Sequence, residues 1–114
     1  MATEAFKILG QQAPGTTNTA LYTVPSGKSA VISTIAVCNQ TATDATFRIA
    51  TQRAADASTS TILTKQYIAY GSTVAANDTT FVTIGATLAA GDQIIVYGSS
   101  SSISFNAYGS EVTP

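Results

Sequence analysis

The chain has 114 residues, of which 45% are hydrophobic and 10% charged, with a formal net charge of -1 and no histidine. This length points to one domain. The hydrophobic share argues against disorder despite a charge content far below the usual share of roughly 25%. The near-neutral balance offers no basic patch for nucleic acid and no basis for membrane binding.

Other classes fall away on single residues. No apolar run approaches the ~18 residues of a spanning helix. The opening MATEAFKILG carries Glu4 early and has no long apolar region, so it does not read as a signal peptide. Synthesis in a cytoplasm, without export by that route, is the expectation. Cys38 is the only cysteine, so no intrachain disulfide can form.

In chain order, short β-type runs alternate with turns. FKIL (residues 6–9) is the first expected strand, and residues 1–12 form either an N-terminal arm or that strand. Pro14 and Gly15 mark a loop. ALYTV (20–24) follows, and PSG after it fits a tight turn. The longest run, 29–38, places Val31, Ile35 and Val37 on one face and Ile32, Ala36 and Cys38 on the other, as a central strand would.

TFRIAT (46–51) alternates with Phe47 and Ile49 inward. Residues 52–61 read as a long soft loop suited to contact with a neighbour. ILTKQYIAY (62–70), TTFVTIG (79–85), DQIIVYG (92–98) and ISFNAYG (103–109) complete the set. The Ala-rich pieces are too short for helices. The expected fold is all-β: an antiparallel β-sandwich of seven or eight short strands over residues 13–114, jelly-roll or Ig-like.

Chemistry is scarce. Gly27-Lys28-Ser29 matches the end of a P-loop, but the first glycine of that motif would fall at Tyr22, and a strand follows where a helix is required. Without histidine there is no Ser-His-Asp triad and no base for Cys38. Asp44, Asp56, Asp78 and Asp92 sit at expected turns, where bonding to backbone is their default task. No calcium-loop spacing occurs and zinc ligands are lacking. No catalytic residue, metal site or cofactor is expected, and the chain does not read as an enzyme. Asn39-Gln40-Thr41 and Asn77-Asp78-Thr79 match glycosylation sequons by pattern alone.

The phrases KILGQQAP, ALYTVPSGKSAVISTIAVCNQ, TFRIA, KQYIAY, DQIIVYGSS and SFNAYGSE are more specific. The sharpest runs from Leu21 through Pro25, Gly27-Lys28, Ala30-Val31 and Ser33-Thr34. On these the chain resembles a family of small virion proteins of tailed bacteriophages, cyanophages especially, over nearly its whole length. The resemblance implies an all-β structural part of the particle, located in the virion, with no catalytic residues.

A low-charge β-module of this kind suits repetitive assembly through sheet edges and interface aromatics. The expected partners are other copies of the chain and the major capsid protein or other phage structural proteins. Candidate interface residues are Phe6, Ile8, Tyr22, Arg53, Asp56, Tyr67, Tyr97 and Tyr108. Capsid decoration is the leading expectation. A neck, tail or baseplate subunit is one alternative, and a module binding host-surface glycan is another.

Overall fold

The structure, a computed structural model, describes residues 3–114. Eight strands form among them: β1 (Thr3–Gln12), β2 (Thr19–Thr23), β3 (Ser29–Asn39), β4 (Ala45–Gln52), β5 (Tyr67–Val74), β6 (Thr79–Leu88), β7 (Gln93–Gly98) and β8 (Ile103–Thr113). Two 3-10 turns, Ala54–Asp56 and Thr64–Gln66, interrupt the β4–β5 connection.

The strands make two antiparallel four-stranded sheets, ordered β1-β8-β3-β6 and β2-β7-β4-β5. Strand one pairs with eight, two with seven, three with six and four with five. The chain is thus one long folded ribbon, rolled so that β3 also meets β8 and β4 also meets β7. This is a jelly roll, and it selects between the two topologies that turn spacing left open.

The inner faces carry the core. Phe47 from one sheet and Phe105 from the other meet edge to face, with centroids 6.2 Å apart. Ile32, Ile35, Ile49, Ile94, Val96 and Ile103 close around them. Each side chain so buried contributes about 1.5–3 kcal/mol before entropy is charged against it. Asn39 is the main polar intruder. Its amide nitrogen donates to the carbonyls of Thr43, Val74 and Ala75, and its oxygen accepts from the backbone and hydroxyl of Thr41. It staples the β3–β4 turn to the β5–β6 turn, and its burial removes it as a glycosylation acceptor.

Several boundaries differ from the sequence reading. Residues 3–12 pair with β8 of the same chain, so this segment is the first strand of the sandwich; residues 1 and 2 of the expected arm lie outside the described residues. β5 starts at Tyr67, because residues 64–66 turn, and continues through Gly71 to Val74. Gly71 sits at positive φ where the β4–β5 register shifts, and Val74 then buries opposite Ala45. Gly85, also at positive φ, marks a register shift rather than an end, and β6 runs on to Leu88. β8 continues past Gly109 to Thr113.

The largest departure is in β3. Ile32 pairs with Gly109 and Thr34 with Tyr108, so Ser33 is an extra residue. Such a bulge reverses which side chains face in. Ala30 and Ile32 are inward before it, Ile35 and Val37 after it, and Val31 turns outward. Unbroken alternation grouped Val31 with Ile35 and Val37.

Gly109 lies against this bulge, and a β-carbon there would overlap the Val31 carbonyl oxygen. Gly10 stands in the same relation to the Leu21 carbonyl of β2. Gly109→Ala is expected to lower unfolding free energy by about 3 kcal/mol, measured by urea denaturation. Ser104→Ala on the same strand, half-exposed, is expected to stay within about 0.5 kcal/mol.

Candidate functional site

The Gly27-Lys28-Ser29 segment is the corner into β3. The Lys28 amide donates to the Pro25 carbonyl, Gly27 takes φ +78, and a strand follows. The lysine itself points to a carboxylate, with its Nζ 3.8 Å from Glu111. Three of the four turn aspartates bond backbone amides: Asp44 that of Ala76, Asp78 that of Thr79, and Asp92 those of Ala54 and Ala89. Asp56 instead pairs with Arg53 at 3.1 Å. No group of three or more Cys, Asp and Glu that could hold a metal occurs among the described residues.

Among the described residues Glu111 is the one buried carboxylate. It sits on the inward side of β8, level with Ala30, and reaches toward the opposite sheet. Tyr22 donates its hydroxyl to Oε2 at 2.7 Å, and Lys7 approaches Oε1 at 2.7 Å. The bond to Lys7 and then that to Tyr22 hold the Glu111 carboxyl below its usual range, against the opposing effect of burial. Burial first, and then the bond to Glu111, push the Tyr22 phenol well above its usual range. This triad closes one end of the sandwich. Tyr22 is therefore withdrawn from the expected interface set, because its ring is in the core and its hydroxyl is committed.

The outward face of the β1-β8-β3-β6 sheet is the main uncovered surface. Cross-strand rows set Ile8 beside Tyr108 and Thr34, Phe6 beside Ser110 and Val31, and Gln11 beside Asn106, Ala36 and Phe81. Phe6 is 79% exposed and Phe81 67%. Glu4 is the one charged residue on the outward positions of the four strands. Phe6, Ile8 and Tyr108, three of the expected interface residues, come together here. Phe81 was missed: alternation sets it on the face opposite Val82 and Ile84, but the run itself does not say which face is the covered one.

The other outward face is partly roofed. Gln52 holds residues 53–66 over it: its amide nitrogen donates to the Ser58 and Thr61 carbonyls and to Gln66, and its oxygen accepts from Ser58 and from Gln93. Beneath this layer Ala50 and Ile95 are each 2% exposed yet lie outside the main core. Next to the roof, Arg48 of β4 is flanked in register by Tyr97 of β7 and Tyr70 of β5. Its guanidinium carbon is 4.4 Å from each ring centroid. Tyr67 meets Tyr70 edge to face at 4.9 Å. The expected Tyr67 and Tyr97 thus join Arg48 and Tyr70, which the sequence reading passed over. Arg53 and Asp56 stand apart on the 3-10 turn beside a cavity of about 410 Å³.

No family model matches the chain, and no curated protein matches it. Among solved structures it is similar to a chain in the structure of infectious bursal disease virus, Gt strain, with a TM-score of 0.50 and 12% identity. The match covers 98% of this chain and 30% of the viral one, so the present chain spans under a third of its neighbour's length. At this identity the likeness is one of fold.

The Glu111 triad makes stability depend on pH at both ends. Its folded carboxyl titrates below the usual glutamate value of 4.5, so its stabilisation is full above that value and is lost as pH falls through the folded one. Glu111→Gln is expected to cost about 1–3 kcal/mol at neutral pH and to flatten the acid limb of a stability–pH curve. The Tyr22 phenol is raised, so its contribution is full below about pH 10 and declines as pH rises beyond it. Tyr22→Phe is expected to remove that alkaline decline in chemical denaturation.

Proposed function

We propose that this chain is a structural subunit of a tailed-phage particle, attached to the capsid as a decoration or cement protein. The observation that carries the reading is the outward face of the β1-β8-β3-β6 sheet. It exposes Phe6, Ile8, Phe81 and Tyr108 on a surface with almost no charge. An exposed apolar patch of this kind marks an interaction surface. Low charge also leaves little repulsion between copies set side by side.

Three further points support it. The sequence resembles small virion proteins. The jelly-roll fold is shared with a chain of a virus structure, and the fold recurs in viral capsid proteins. The edges β1 and β6 of the same sheet are free to pair with a neighbour's backbone. In this reading the sheet face docks on the capsid shell, and the edges mediate self-association.

Two measurements test the proposal. Quantitative mass spectrometry of purified particles is expected to give a copy number that is a simple fraction of the major capsid protein. A count of about a dozen or fewer would move the subunit to the neck or tail, and absence from particles would sink the virion reading. In the second, Phe6→Ser combined with Phe81→Ser is expected to cut binding to undecorated capsids at least about tenfold while leaving thermal stability within about 0.5 kcal/mol, since both rings are exposed.

A further inference from the structure

We propose that the Arg48 cluster on the β2-β7-β4-β5 sheet binds an acidic sugar, with the carboxylate of the sugar taken by the Arg48 guanidinium. The inference stands on the geometry of this face and does not require the virion reading.

Arg48 is a held but unanswered cation. Lys7, Lys28 and Arg53 each lie within 4.0 Å of a carboxylate, whereas the half-buried Arg48 and the exposed Lys65 do not. Arg48 has no ion-pair partner and no hydrogen-bond acceptor among the described residues, though it is only half-exposed. No buried side-chain nitrogen lacks a partner, so its free N–H groups reach solvent. Tyr70 and Tyr97 grip the guanidinium from adjacent strands. A planar fork already fixed in place loses little freedom when a carboxylate arrives, and it can bind that carboxylate through two parallel hydrogen bonds.

The surroundings suit a sugar ring better than a polyanion. A groove of about 420 Å³, lined by Ile62, Thr64, Tyr67 and Tyr70, adjoins the cluster through Tyr70. This size falls in the range of small-ligand sites. The edge-to-face corner of Tyr67 and Tyr70 offers ring surface for sugar C–H groups, and the two phenols and Thr64 offer hydroxyls for sugar hydroxyls. No cation lines the groove itself, and Arg48 and the exposed Lys65 are the unpaired cations near it, so an acidic peptide or a phosphate cluster would find few positive charges for its several negative ones. One carboxylate on a pyranose matches both the charge and the shape. A shallow site of this kind binds weakly as a single copy, and many copies on one scaffold would raise the avidity.

The test is an NMR titration of the full chain at low salt with trigalacturonic acid, maltotriose and a tetraglutamate peptide. Trigalacturonic acid is expected to give saturable shifts at the Arg48 side chain and at Tyr67, Tyr70 and Tyr97, with Kd of about 1 mM or tighter. Maltotriose is expected to bind at least about tenfold more weakly. Arg48→Gln is expected to weaken binding about tenfold, and Tyr67→Ser, which leaves the stacked cation in place, about threefold. No response to trigalacturonic acid, an equal response to maltotriose, tighter binding of tetraglutamate, or unchanged binding in both variants would each overturn the assignment.

Discussion

The close approach of Gly109 to the Val31 carbonyl is the constraint on which the rest of this sandwich depends. β8 is the spine of its sheet, paired with β1 on one side and β3 on the other. At Gly109 the extra residue Ser33 is taken up, and only a residue without a side chain leaves room for it. That single slip puts Ile32 in the core and Val31 on the outside. It therefore shapes two surfaces at once: the packed interior and the apolar outward face. Two residues further along β8, Glu111 uses the same inward orientation to reach Tyr22 of the opposite sheet.

The two outward faces are built on opposite principles. One is bare and nearly uncharged. The other is roofed by a loop that three glutamines hold by their amides, with a stacked cation beside it. Glutamine suits the roof because each amide both donates and accepts, so the layer satisfies itself without buried charge. On the proposed readings the bare face meets another surface and the Arg48 corner a small ligand. A particle subunit with one face seated on a shell would leave the other toward solvent.

Much of the fold was legible. Period-two runs of β-branched and aromatic residues located all eight strands, and Pro–Gly signals located most turns. What escaped was non-local. The bulge at Ser33 has no marker in its own neighbourhood, because its cause is Gly109, far along the chain. Gly71 and Gly85 looked like strand ends, though within a ladder glycine at positive φ instead marks a shift of register. The sites show the same division. Phe6, Ile8 and Tyr108 stood out as aromatic or apolar residues near a chain end or an edge. The Arg48 cluster needed the register of β4 against two strands, and Tyr22 vanished into the core once Glu111 supplied a partner. The choice between jelly roll and Ig-like sandwich was likewise a question of which distant strands meet.

The rolled ribbon also orders events in time. β1 leaves the ribosome first, yet its only partner within its sheet is β8, which leaves last. Until β8 emerges, the Phe6–Ile8 segment lacks its sheet partner. In a crowded polysome the nearest available β8 can belong to a chain just completed. The fold thus carries a built-in competition between closing on itself and lending its first strand to a sister chain. Slow non-local pairing lengthens the window for that exchange. The balance between the two closures is set by the local concentration of sister chains.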